Sequence, residues 1–130
     1  MKGAVKTAKA PEAIGPYSQG MVAGGFLFIS GQIPLDPATG AVEGSNVEEQ
    51  TGRVMENISA ILEASGAGME DIVKTTIYLE DIDDFSAVNS VYSGFLRPPY
   101  PARATVGVKS LPKGVKVEID AIAVMERSTP

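Results

Sequence analysis

The run Val115-Lys116-Val117-Glu118-Ile119-Asp120-Ala121-Ile122-Ala123-Val124 decides the fold of this chain. Its residues fall into two alternating sets. Val115, Val117, Ile119, Ala121 and Ala123 point one way; Lys116, Glu118, Asp120, Ile122 and Val124 point the other. A period of two marks a strand with one face against a core. A second run, Pro101-Ala102-Arg103-Ala104-Thr105-Val106, precedes it, and the turn Leu111-Pro112-Lys113-Gly114 separates the two. There Ala104, Val106 and Val108 point one way, and Arg103, Thr105 and Gly107 the other. If the two strands pair, or are near neighbours, Arg103 and Glu118 can share a face. An Arg so held grips a carboxylate, and a Glu beside it handles a water or a proton. The competing reading is a surface ion pair on a half-wet sheet, worth about 0–1 kcal/mol.

Upstream, the pattern predicts five further elements. Residues 5–9 suit a short edge strand. Phe26-Leu27-Phe28-Ile29-Ser30, after the turn signal Gly24-Gly25, reads as a buried strand. A helix begins near Ser45 or Asn46, where Ser45 and Glu48 fit a capping box. Val47, Val54, Ile58, Ile61 and Leu62 form its apolar stripe, and Gly66 or Gly68 stops it. Ile72 to Leu79 is rich in β-branched residues and reads as a strand. Asp83 or Asp84 caps a second helix with the stripe Phe85, Val88, Val91, Tyr92 and Phe95, and Pro98-Pro99 ends it. The order is β-β-α-β-α-β-β. It predicts an α+β fold, a mixed β-sheet with two helices packed on one face, in a single domain over residues 1–130. Two helices leave the other face uncovered, and its apolar residues call for another subunit.

Composition removes several chemistries. The chain has no Cys and no His, so thiol nucleophiles, Ser-His-Asp triads and the usual zinc ligand sets are absent. Its net charge of −5 disfavours general binding to nucleic acid. The densest basic segment holds only Lys109, Lys113 and Lys116. No apolar run approaches the roughly 20 residues of a membrane helix, and the N-terminus shows no secretory pattern. The expectation is a cytoplasmic protein with no membrane partner. Acidic clusters such as Asp81-Ile82-Asp83-Asp84 lack the spacing of a calcium loop, so no metal is expected.

Four other residues are candidates. Tyr17 stands among glycine and proline in Gly15-Pro16-Tyr17-Ser18-Gln19-Gly20, placed either to cover a ligand or to plug a core edge. Ser30 and Gly31 end a strand, a common ligand position and equally an ordinary exit turn. Asn89 lies between stripe positions of the second helix, where most such residues are solvated.

Several blocks resemble the RidA family, also called YjgF-type proteins. They are Ile14-Gly15-Pro16-Tyr17-Ser18-Gln19, Ile29-Ser30-Gly31-Gln32-Ile33-Pro34, Asp71-Ile72-Val73-Lys74-Thr75-Thr76, Asp84-Phe85-Ser86-Ala87-Val88-Asn89 and the tail from Pro101 to Val124. The resemblance implies a chorismate-mutase-like fold assembled as a homotrimer with clefts between subunits. It implies hydrolytic deamination of 2-imino acids such as 2-iminopropanoate and 2-iminobutanoate, which pyridoxal-phosphate dehydratases release by way of enamines. It implies no cofactor.

The same resemblance assigns roles. Arg103 binds the substrate carboxylate and Glu118 orients or deprotonates water. Backbone groups near Gly31 and Thr105 hold the substrate, Tyr17 covers it from a neighbouring chain, and Ser30 and Asn89 are secondary. Two departures stand out: many relatives carry cysteine where this chain has Thr105, and the 96–100 loop is shorter than in some. Two other functions stay open. One is a binding, regulatory or chaperone module using the same cleft. The other is an endoribonuclease or translation inhibitor, against which the missing histidine and the negative charge weigh.

Overall fold

A computed structural model describes residues 1–125. The alternating run forms β6 (Val117–Val124), inside a six-stranded sheet. The other strands are β1 (Gly3–Val5), β2 (Gly20–Ala23), β3 (Phe26–Gln32), β4 (Ile72–Leu79) and β5 (Ala102–Gly107). Helix α1 (Val47–Ala64) connects β3 to β4, and α2 (Phe85–Gly94) connects β4 to β5. Across the sheet the order is β1-β2-β3-β6-β4-β5. β4 and β5 run parallel, and every other neighbouring pair is antiparallel. β6 therefore inserts between β3 and β4.

The core explains the layering. Leu27, Ile29, Ile77, Leu79, Val117 and Ile119 of the sheet pack with Val54, Ile58, Ile61 and Leu62 of α1 and Val88 of α2. Burying each such side chain stabilises by about 1.5–3 kcal/mol. The opposite face carries Phe26, Phe28 and Val106, with Ile122 and Val124 half-buried. Phe26 is 42% exposed and Phe28 44%, so the strand read as buried is buried only at Leu27 and Ile29. An apolar run at period one hid an alternation of environments, because both faces are apolar.

The chain has one more strand than the pattern predicts: the order is β-β-β-α-β-α-β-β. β2 has four residues, too short to display a period, and beyond Gly20 it lies in a stretch to which the pattern assigns no element, before the Gly24-Gly25 turn. Gly24 (φ 58°) and Gly25 (φ 79°) make the tight turn of the β2–β3 hairpin, a geometry that favours glycine. The first strand is Gly3–Val5 rather than 5–9. The buried Gln19 amide accepts from Thr7 N–H (2.7 Å) and donates to the Thr7, Ala10 and Pro11 carbonyls, which holds that segment as loop.

The first helix starts from an Asn46 cap, one of its two predicted positions, but the capping contacts differ from those predicted. Asn46, in extended conformation, caps α1 by accepting from Glu49 N–H at 2.8 Å, while the Glu49 carboxylate accepts from Ser45 N–H at 2.9 Å. Glu49, not Glu48, closes the reciprocal pair. Gly66, at φ 84°, ends the helix as predicted. A 3₁₀ turn at Ile82–Asp84 leads into α2, and Asp81 caps it through Asp83 N–H (3.0 Å). Asp84 makes no side-chain cap. No helix among the described residues is long and apolar enough to cross a membrane.

β5 and β6 are not paired, because β4 stands between them. Arg103 lies opposite Thr75 of β4, and Glu118 lies opposite Tyr78. Thr75 and Tyr78 are three residues apart on one strand, so they face opposite ways. The predicted shared face is thereby corrected: within one chain Arg103 faces the helices and Glu118 faces the open side.

Candidate functional site

The predicted site residues divide into two clusters. The first surrounds Arg103 at the β5 edge. Its Nη1 donates to Asn89 Oδ1 at 2.6 Å, and its guanidinium carbon lies 5.3 Å from the ring centres of both Phe85 and Tyr92. Phe85, Asn89 and Tyr92 stand at i, i+4 and i+7 on α2, so one helix face delivers all three. Tyr92 is anchored in turn by a 2.7 Å hydrogen bond to Thr75 Oγ1. Burial pushes the Tyr92 phenol up, while the Thr75 hydrogen bond and the Arg103 charge pull it down. A cavity of about 630 Å³ opens here, lined by Asn89, Tyr92, Tyr100 and Arg103 among others. Asn89 is therefore a partner of the arginine rather than a solvated helix residue. Phe85, Tyr92 and Tyr100 were not read as site residues. The i, i+4, i+7 spacing around Asn89 was the available signal for the first two.

The second cluster surrounds Glu118 on the other face. Its carboxylate lies against Gly31, where a Cβ would collide with Oε2. Gly31 sits where the β3–β6 register slips between Ile29 and Gln32, and that irregularity lets the carboxylate approach the backbone. Burial raises the proton affinity of Glu118, and the charge of Asp120 two residues along raises it further. Asp120 accepts a hydrogen bond from Tyr78 Oη at 2.9 Å. Glu118, Gly31 and Tyr17 line a cavity of about 380 Å³ together with Gln32, Ile33 and Lys113. Tyr17 is 52% exposed and does not plug the core.

Ser30 and Thr105 line neither cavity. The Ser30 hydroxyl donates to the Ser18 carbonyl at 2.5 Å, tying β3 to the loop that carries Tyr17. The Thr105 hydroxyl is buried and has no hydrogen-bond partner among the described residues. No group of His, Cys, Asp and Glu among the described residues is placed to hold a metal.

Taken together, the clusters offer an arginine oriented by Asn89 and two aromatic rings on one face and a carboxyl of raised proton affinity on the other. One chain does not bring them to a common substrate.

Known proteins resemble this chain over nearly its whole length. The family model described as Endoribonuclease L-PSP matches residues 7–125. A RutC family protein from Pyrococcus abyssi is 50% identical over 125 residues, covering 96% of this chain and 98% of that protein. A goat (Capra hircus) protein named 2-iminobutanoate/2-iminopropanoate deaminase is 48% identical over 120 residues, covering 92% and 88%. The crystal structure of E. coli TdcF with bound serine superposes with a TM-score of 0.89 at 44% identity, covering 97% of this chain and 99% of that one. With its mixed six-stranded sheet, two helices and near-complete match, this chain belongs to the Endoribonuclease L-PSP family, the group that includes the RidA and YjgF proteins.

Proposed function

We propose that this protein hydrolyses small 2-imino acids, 2-iminopropanoate and 2-iminobutanoate, to 2-keto acids and ammonia. The observation that carries the reading is Glu118: a half-buried carboxyl of raised proton affinity, seated against Gly31 in a small cavity. A carboxylate of raised proton affinity is a stronger general base than an ordinary exposed one. The goat relative's name and the serine bound to TdcF support a small amino-acid-like substrate.

The two clusters become one site if subunits associate as a homotrimer. Arg103 of one subunit then faces Glu118, Gly31 and Tyr17 of the next. The apolar open face, with Phe26, Phe28 and Val106 exposed, supports such an assembly. Arg103, pre-oriented by Asn89 and by the Phe85 and Tyr92 rings, holds the substrate carboxylate through its planar fork. As water oxygen bonds to the imine carbon, Glu118 takes one of the water's protons and delivers it to the imine nitrogen, which gives a carbinolamine. Glu118 then takes the remaining hydroxyl proton and passes it to the same nitrogen. The carbon–nitrogen bond breaks as the carbonyl forms, and ammonia leaves. The imine carbon is already electrophilic, so no covalent nucleophile is needed. A coupled assay tests this: a dehydratase generates the imine, and keto-acid release is followed with and without this protein. No acceleration over the uncatalysed rate sinks the proposal.

The family description favours one second reading, endoribonuclease activity. RNA cleavage by nuclease-free protein, lost in Arg103→Ala, would establish it. The net charge of −5 and the absence of histidine argue for the imine reading instead.

A further inference from the structure

The turn Pro112-Lys113-Gly114 forms one wall of the cavity that holds Glu118. Lys113 has φ 57° and ψ 17°, and Gly114 follows at φ 67°. Val115 N–H closes the turn on the Pro112 carbonyl at 3.3 Å. Both central residues are thus left-handed, a turn that favours Asn, Asp or Gly at its first position. Lys113 is the one non-glycine residue with positive φ among the described residues. A lysine there strains the backbone, and strain of this kind gathers where function requires a particular side chain.

Two further observations give the side chain a purpose. Lys113 is the single cation among the residues lining the cavity, whose other ionisable side chains are Glu12, Tyr17 and Glu118. It also forms no ion pair among the described residues; the salt bridges there join Arg53 to Glu43 and Glu56. A wall with only acidic charges would repel an anionic substrate. An exposed lysine on that wall, in no ion pair among the described residues, offsets the repulsion and attracts carboxylates.

We infer that Lys113 is a specificity-determining cation of the Glu118 cavity, selecting substrates that carry a carboxylate over neutral imines. The inference rests on the imine-hydrolase reading for the identity of the substrate. It assigns Lys113 neither proton transfer nor the fixed grip of Arg103. Its contribution acts on capture, so it belongs in kcat/KM and weakens with salt.

The experiment compares Lys113→Arg, Lys113→Gln and Lys113→Asn with the unaltered protein, using 2-iminobutanoate and its neutral amide at low and high salt. Lys113→Arg should keep the rate and its salt dependence. Lys113→Gln and Lys113→Asn should lose about threefold to tenfold in kcat/KM for the acid at low salt and nothing for the amide. Lys113→Asn should also melt at a higher temperature, because asparagine tolerates the left-handed backbone. Equal losses for acid and amide, or no loss for either, overturn the inference while leaving the activity intact. A second readout does not need turnover: binding of 2-oxobutanoate, the product acid, followed by NMR. If the protein hydrolyses no imine, the activity reading fails by itself. Weaker 2-oxobutanoate binding by Lys113→Gln than by Lys113→Arg at low salt then still supports the cation's role. Equal binding by the two, or none by either, overturns it.

Discussion

Glu118 and Gly31 fit together as carboxylate and bare backbone: the Glu118 Oε2 occupies the space a side chain at residue 31 would need. The obstructing atom is the far end of a flexible side chain. Gly31→Ala should therefore push the carboxylate aside rather than disrupt the sheet. We expect a stability change within about 1 kcal/mol and a loss of imine hydrolysis of about 10²-fold or more. Thermal melting and the coupled assay check both halves. Unchanged turnover in a folded Gly31→Ala protein removes Glu118 from the mechanism.

Arg103 and Glu118 face opposite sides of one sheet, so the proposed site needs two subunits. Arg103→Ala and Glu118→Gln should each be nearly inactive as pure proteins. Arg103→Lys should also be poor, since a point charge cannot replace the planar fork. Unfolding and refolding the Ala and Gln variants together should restore about a quarter of normal activity, because about one cleft in four pairs an intact Arg103 with an intact Glu118. No restoration in mixed oligomers contradicts a shared cleft.

The raised proton affinity of Glu118 predicts a pH profile. If Glu118 is the base, the acid limb of kcat/KM lies above the usual carboxylate range. Asp120→Asn removes a negative charge that helps raise it, so the limb should move to lower pH. The stability sign follows the same direction. A carboxyl whose folded pKa is raised favours folding most below its unfolded pKa, and that contribution is lost as pH rises through the folded value. Carbon-13 titration of the Glu118 carboxyl gives the shift directly. A limb that stays fixed in Asp120→Asn means another group controls it.

Asn57 is buried, donates to the Ile33 and Leu35 carbonyls at 3.3 and 3.1 Å, and accepts from Arg53 Nη2 at 2.9 Å. It pins the segment that lines the Glu118 cavity to α1. The Ile33 carbonyl keeps a second donor, Leu35 N–H at 2.8 Å, so Asn57→Ala strips the Leu35 carbonyl of its amide partner and should cost about 1–3 kcal/mol. Urea denaturation measures this; a cost below about 0.5 kcal/mol shows that water replaces the amide without penalty.

Thr105 carries a buried hydroxyl without a hydrogen-bond partner among the described residues. Thr105→Val removes that group while keeping shape, so stability should hold or rise by up to about 1 kcal/mol. If only the backbone of residue 105 serves the site, turnover should also persist. A folded Thr105→Val protein as inactive as Arg103→Ala shows instead that the hydroxyl takes part.

The sequence by itself determined the periodic elements and the residue types. Ile72 to Leu79 and the two helix stripes were legible because long amphipathic runs bury one face wherever they pack. Arg103 and Glu118 stood out as charges on apolar strands and Tyr17 as an aromatic among glycine and proline, whereas Asn89 read as an ordinary helix residue that only the family resemblance singled out. Short-range features were less legible. β2 is too brief to show a period, and the Asn46 and Asp81 caps depend on local dihedral angles that neighbouring acidic and polar residues compete to set. What only the tertiary structure decided was which face each strand turns to its neighbours. β6 enters between β3 and β4, an insertion governed by long-range pairing that alternation along a single strand cannot encode. That placement put Arg103 among α2 side chains, set Glu118 against Gly31, and divided between two faces what the linear pattern had placed on one.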